Sequence, residues 1–359
     1  MIQYTIRRIL LAIPVVFAIL VVTFTLARAI PGDPCKAILG EKATAEACER
    51  FTIEFGLDKP IYEQFVIYMG RVLQGDLGES IRFGRPVTTI LLERLPTTIE
   101  LGLSAMLIAV LVGIPAGIIS AVRRNSFVDV ATMIGANIGV SLPVFFLGLL
   151  LIYLFAVVLK DTPLALPPSG RLSPGVSPTP FYEVYNLTAE EGSARLQFYS
   201  FLARHYIFNS LITFDWEVLA DASRHLLLPA LALSTIPLSI LARMTRSSML
   251  EILGLDYMRT ARAKGLLERT VLLRHALRNA LLPVVTVAGL QLAAILGGAV
   301  LTETIFGLAG VGLSVYEAIT SRDFPIIQGF VIVIALIYVT FNLLVDLSYA
   351  VLDPRIRLN

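Results

Sequence analysis

LGLSAMLIAVLVGIPAGIISAV, Leu101–Val122, carries one uninterrupted apolar pattern without a charge, and Arg123 and Arg124 close it. A chain can cross a hydrocarbon core only if its backbone polar groups are satisfied internally, so a run of roughly 20 mostly apolar residues encodes a spanning helix. Runs of the same kind recur at Ile9–Ala27, Val130–Leu159, Leu226–Ala242, Ala280–Thr302 and Phe324–Val345. Val130–Leu159 is overlong, and Pro143 marks where it would tilt or bend. Leu226–Ala242 is the shortest and holds Pro229 and Pro237. Of the 359 residues 56% are hydrophobic and 16% charged, with a mean hydropathy of +0.78, outside soluble usage. The expected fold is an all-α integral membrane protein with about six transmembrane helices.

Net charge is only +2, so no global field points to nucleic acid, and the information lies in where the charges stand. Arginine and lysine in short connections mark the cytoplasmic side. Such connections are Arg123–Arg124, the stretch Arg243–Arg278, and the tail with Arg355 and Arg357; Arg7 and Arg8 precede the first run. Both termini are therefore expected in the cytoplasm, a parity that six spans satisfy. The N-terminal run resembles a secretory signal but lacks a small-residue cleavage site, so it is read as a retained span.

This topology divides the chain into 1–30, the tail and first span; 31–96, an external subdomain; and 97–359, a core of five spans. The core includes an external insertion at 160–225 and a cytoplasmic segment at 246–282. The insertion opens with LPPSGRLSPGVSPTP, Leu166–Pro180, a turn-forming stretch, and becomes aromatic through Phe198, Tyr199, Phe201, Tyr206, Phe208 and Trp216. Those aromatics read either as a lid or partner-docking surface or as anchors at headgroup level. A third external stretch, Phe306–Asp323, is glycine-rich and reads as a turn or partial helix. Cys35 and Cys48 are the two cysteines; a disulfide and two thiols are equally compatible with the sequence. Asn186-Leu187-Thr188 matches a glycosylation sequon, meaningful only in a eukaryotic source.

The strongest functional signal is DYMRTARAKGLLERTVLLRHALRNALLP, Asp256–Pro283. Asp256 can cap a helix starting at Tyr257, and Gly265 suits the left-handed position that ends it. A second helix over roughly Leu266–Leu281 sets Leu267, Val271 and Leu277 against Arg269, Arg274 and Arg278. A basic hairpin held on anionic lipid is the plain alternative. Thr260, Ala261 and Ala263 beside Gly265 speak for close approach of a protein instead.

These residues resemble the permease subunits of binding-protein-dependent ABC importers, whose cytoplasmic loop reads E-A-A, three residues, G, nine residues, I-x-L-P. Arg259-Thr260-Ala261, three residues and Gly265 fit its first half, and His275-Ala276-Leu277-Arg278 takes the second at the same spacing. Arg259, Thr260 and Arg278 depart from the generic pattern; R-T-A-R-A-K-G with R-H-A-L-R-N is similar to the dipeptide, oligopeptide and nickel branch. RRILLAIPV (Arg7–Val15), GDP (Gly32–Pro34), LQGDLGES (Leu73–Ser80), RLPTTIELG (Arg94–Gly102), LPPSGRL (Leu166–Leu172), RHLLLPALAL (Arg224–Leu233), ETIFGLAGVG (Glu303–Gly312) and LDPR (Leu352–Arg355) agree with it. The stretch 174–221 is longer and more aromatic than the resemblance leads one to expect.

The resemblance implies a type I ABC importer permease fold. It implies a coupling helix on an ATPase subunit, carried by Arg259, Thr260, Ala261, Arg262, Ala263, Lys264 and Gly265, with Thr260 and Ala261 packing and the basic residues pairing. Implied partners are a second permease, two ATPase subunits and an extracytoplasmic substrate-binding protein, in a bacterial or archaeal inner membrane. Peptide is the implied cargo, with nickel or another small solute as the alternative. No G-x-x-x-x-G-K-[ST] loop occurs, so ATP and Mg are expected on the partners and no cofactor on this chain. His205, His225 and His275 lack ligand spacing, so no metal and no catalytic residue is expected. A secondary transporter would call for charges within spans, broken helices or an inverted repeat. Glu303, at the end of the fifth run, is expected to make a contact at the external mouth, structural sooner than with cargo, and Asp346 to cap or snorkel.

Overall fold

The computed structural model describes residues 2–29, 35, 43–54, 56–190 and 192–352. Gly32–Pro34 and the tail with Asp353, Arg355 and Arg357 lie outside the described residues, as does the side chain of Asp346. Among the described residues every regular element is helical, apart from an isolated bridge between Glu79 and Pro86.

In chain order the helices are α1 (Ile2–Ala29), α2 (Ala45–Glu54), α3 (Ile61–Leu73), α4 (Val87–Val122), α5 (Phe127–Ser141) and α6 (Val144–Ile152). Next come α7 (Phe181–Val184), α8 (Ala194–Ala203), α9 (Tyr206–Thr213), α10 (Trp216–Leu253), α11 (Asp256–Ala263) and α12 (Glu268–Thr270). The last are α13 (Arg278–Gly298), α14 (Val300–Ile305), α15 (Val311–Ser321) and α16 (Phe324–Leu352). Five helices or helix runs are long and apolar enough to cross a membrane, and the bent pair of α5 with Val144–Val158, α6 and the π-helical Tyr153–Val158 that continues it, brings the number to six when counted as one span. That pair turns by 99° at Leu142–Pro143. The overlong third run is thus broken in two, because Pro143 brings no N–H to the helix ladder and holds Leu142 extended.

The axis of the fold is α4 against α10. Leu101 and Leu228 belong to one buried cluster, and further along Gly113 lies against Leu238 and Gly117 against Ala242. Positions advance in the same sense, so the two helices run parallel. A Cβ at Gly117 would stand 2.5 Å from the Ala242 carbonyl oxygen, so glycine is what permits this approach. Antiparallel to both runs α13, with Gly102 beside Leu296 at one end and Ala121 near Ala280 at the other. Next, α16 packs on α13, and α1 lies outermost with most of its side chains exposed.

Both axial helices exceed what a bilayer requires. In α4, Val87–Glu100 precede the apolar run; in α10, Trp216–His225 do so at the same end, while Arg243–Leu253 extend beyond the other. The first overhang carries α8 and α9, joined to it by Arg204 to Glu93 (3.4 Å) and by the Ile207 N–H to Glu100 (2.7 Å). The second overhang carries α11. Cys35 and Cys48 are joined as a disulfide with Cα atoms 5.4 Å apart.

Candidate coupling site

At the arginine-bearing end, α10 stops at Leu253 and the chain turns into α11. The cap expected from Asp256 is not formed. Leu255 occupies the N-cap position and Asp256 lies in the first turn, its carboxylate 3.4 Å from the exposed Arg259 guanidinium. At the far end the Gly265 N–H donates to the Arg262 carbonyl (2.9 Å) and the Leu266 N–H to that of Ala261 (3.4 Å). This paired closure is the Schellman arrangement, and Gly265 meets its left-handed requirement with φ of +74°.

The helix has two unlike faces. Met258 and Ala261 are buried among Met249, Val271, Ala276 and Ala280 of this same chain. Arg259, Thr260, Arg262, Ala263, Lys264 and Gly265 are exposed. The sequence expectation that Ala261 packs on a partner is therefore corrected: at spacing three from Met258 it shares the inward face, and the side chain fills this chain's own core. Thr260 instead turns outward, its hydroxyl donating to the Asp256 carbonyl (3.1 Å).

The segment beyond Gly265 is clamped to α11. Arg262 donates from both Nε (3.1 Å) and Nη2 (2.8 Å) to Glu268 across the Gly265 turn. Each group favours the other's charged form, so the Arg262 guanidinium is pushed above its ordinary value. Asn279 donates to the Tyr257 hydroxyl (3.0 Å), joining α11 to α13. The run Val271–Leu277 is a π-helix, and its wider turn moves the inward face to Val271, Ala276 and Ala280. Leu267, expected on the apolar side, is 77% exposed because it stands at the N-cap of α12 with extended backbone, outside the helix, while Arg269, Arg274 and Arg278 remain on the surface.

Behind this end lies a polar lock that the sequence did not announce. The buried carboxylate of Asp129 on α5 receives Arg246 of α10 through Nε and Nη2 (2.7 and 2.8 Å), the hydroxyl of Ser120 and the N–H of Asn125 (2.9 Å). It ties α4, α5 and the overhang of α10 together, so α11 stands on a braced support.

Glu303 lies at the opposite end and is wholly buried. Its carboxylate accepts from Thr98 (2.7 Å) and from the N–H of Leu313 (2.9 Å), while Thr98 accepts from the N–H of Val311 (2.9 Å). The residue fastens the start of α15 to α4, and Gly310 is what gives its carboxylate room. A mouth contact with cargo has no open atom here, and the structural role remains. Phe306–Asp323, read as a turn or partial helix, contains α15 and ends at the buried Asp323, which accepts from Ser80 (2.5 Å) and the N–H groups of Ile81 and Arg82 (3.3 and 3.1 Å). No group of histidine, cysteine and acidic residues suited to a metal occurs among the described residues.

Residues 113–358 match the family described as binding-protein-dependent transport system inner membrane component, and residues 1–102 its N-terminal membrane component. The chain is 42% identical over 357 residues to the dipeptide transport system permease protein of Alkalihalophilus pseudofirmus, covering 99% of this chain and 100% of that one. It is also 42% identical to the di/tripeptide transport system permease protein of Pseudomonas aeruginosa and to the dipeptide transport system permease protein of Escherichia coli, with 99% of each chain covered in both cases.

Proposed function

This chain belongs to the family of binding-protein-dependent transport system inner membrane components, and we propose that it is the permease subunit of an ATP-driven peptide importer. Relatives of equal length named for dipeptide and di/tripeptide transport support peptide as the cargo, and nothing in the comparisons favours nickel or another solute. The chain pairs with a second permease, receives cargo from an extracytoplasmic binding protein, and is driven by two ATPase subunits that hold ATP and Mg. Its own residues transmit motion and perform no bond chemistry. Both termini and α11 face the cytoplasm, a reading supported by Arg123, Arg124, Arg243, Arg246 and the arginines of 259–278 gathered at one end.

The observation that carries the reading is α11: a two-turn helix fixed to the core by Met258 and Ala261, closed by Gly265, clamped by Arg262 and Glu268, and offering Arg259, Thr260, Ala263 and Lys264 outward. A transmitter must be stiff in its own body and open on one face. The broken span and the Asp129–Arg246 lock do not require a secondary transporter, because the bound charges brace helices at the arginine-bearing end. The test is reconstitution with the ATPase subunits: cargo-stimulated ATP hydrolysis and peptide uptake should both collapse in Lys264→Glu with Arg259→Glu, while assembly of the span bundle persists. Normal uptake by that variant would refute the coupling role.

A further inference from the structure

One charged side chain of α10 stands outside the polar lock. Arg246 is neutralised by Asp129, but Arg243, one turn earlier, reaches the neutral Asn137 of α5, its Nη1 3.4 Å from the amide oxygen. Among the described residues no carboxylate pairs with Arg243. Arg243, Asn137 and Ser141, the last one turn further along α5 on the same side, are all exposed. A positive charge that simply marks the cytoplasmic end of a span would stand at the membrane surface.

Its depth is wrong for that role. The apolar run of α10 stops at Ala242, but Ala242 lies against Gly117 of α4, and the α4 run continues to Val122, ~8 Å nearer the arginine-bearing end. The side chain reaches deeper still. Asp129 accepts from Ser120 and the Asn125 N–H where α4 passes into α5, and Asn137 stands eight residues further along α5, ~12 Å into a hydrocarbon core ~30 Å thick. Gly139 against Ser239 keeps α5 on α10 through that depth. A snorkelling guanidinium would turn back toward Arg246 and the nearer surface, whereas this one is directed at Asn137. An exposed arginine near the middle of a bilayer is costly against acyl chains, and such a residue faces a water-filled path.

We propose that Arg243, with Asn137 beside it, lines the passage near its middle and takes the terminal carboxylate of the cargo. A peptide carries that carboxylate whatever its side chains, so a single uncompensated guanidinium recognises the class without selecting a sequence. One cation on an open face attracts the carboxylate without enclosing it, and a site that cargo must leave has to bind weakly. Peptide as the anion rests on the functional reading above; the wet, anion-attracting face rests on the geometry.

Cys35 and Cys48 are joined, so a thiol introduced at Asn137 is the one reactive thiol of the chain. The Asn137→Cys chain, assembled in vesicles with the second permease and the ATPase subunits, is treated with two water-soluble methanethiosulfonates, one bearing a sulfonate and one a trimethylammonium, and modification of this chain is read by mass. Both reagents should react. Adding Arg243→Gln should lower the sulfonate-to-ammonium ratio of rates about tenfold, and Arg243→Lys should keep it. Ser141→Cys, one turn away on the same face, gives the same reading should Asn137→Cys fail to assemble. No reaction at either position would mean that lipid or the second permease covers this face, and a ratio indifferent to Arg243→Gln would mean that its charge is not felt there; either overturns the proposal. With asparagine back at 137, peptide uptake at saturating binding protein should fall about tenfold in Arg243→Gln and largely return in Arg243→Lys. Wild-type uptake by Arg243→Gln would remove the cargo contact and leave the importer reading standing. An unaltered complex that takes up no peptide would overturn the importer reading itself, and the cargo contact with it.

Discussion

Replacing Gly265 isolates the closure of α11 from every other contact. No atom lies within 4 Å of where its Cβ would stand, so a side chain there meets no clash. The whole cost is the left-handed backbone at φ +74°, about 1–2 kcal/mol for an L-residue and most for a β-branched one. A cost of that size lowers the population of the closed end by roughly 5- to 30-fold. Met258 and Ala261 remain packed, so the fold and membrane insertion should be little changed. Cargo-stimulated ATP hydrolysis in the reconstituted importer should therefore rank the wild type first, Gly265→Asn close behind, Gly265→Ala lower and Gly265→Val lowest, because asparagine tolerates this conformation best among the three. Wild-type stimulation in the Gly265→Val importer would refute the reasoning, as would a ranking by side-chain size with alanine above asparagine.

Ala261→Glu should behave differently, lowering the unfolding temperature of the isolated permease as well as coupling, since the carboxylate would enter this chain's core; an unchanged melting curve would contradict the inward face. Asp323→Ala leaves Ser80 and two N–H groups without their acceptor and should cost about 1–3 kcal/mol, read as faster hydrogen exchange over 77–87, with Asp323→Asn milder. Cys35→Ser with Cys48→Ser removes a short closed loop worth at most about 3 kcal/mol, which should accelerate proteolysis around α2 while leaving α4 to α16 intact. His205 is buried with its Nδ1 3.0 Å from the Phe201 carbonyl, and burial pushes its imidazole below the ordinary 6.5. The unfolded form then binds the proton more readily, so stability is full above that value and falls as pH drops toward the folded value. Denaturant melts of the permease should show this loss on going from neutral to mildly acidic pH, and His205→Gln should remove it.

The spanning runs were readable because apolar length is a local property. Each of the six runs lies within or across a long helix or the bent pair, and Phe324–Val345 appears with the same bounds. The severity of the bend was not readable, since Pro143 permits a tilt as well as a 99° break and neighbours decide. Gly265 was legible from its own chemistry. The direction in which Ala261 points was not, because it depends on Met249 of α10 and Val271 beyond the turn. Nor could periodicity place Leu267, because it caps α12 with extended backbone and so takes no part in the helical register. Asp129 with Arg246, Glu303 with Thr98 and Asp323 with Ser80 join positions 117, 205 and 243 apart in sequence. Isolated acids near span ends gave no sign of those partners.

The central claim is that the outward face of α11 meets an ATPase subunit. A photo-crosslinking amino acid placed at Thr260, and separately at Lys264, in the assembled importer measures it directly. The expected product is a covalent adduct with the ATPase subunit from both positions, and none from the same probe at Trp216 on the opposite side. Adducts to lipid alone from Thr260 and Lys264, with the complex intact, would make the segment a membrane-surface hairpin and contradict the claim.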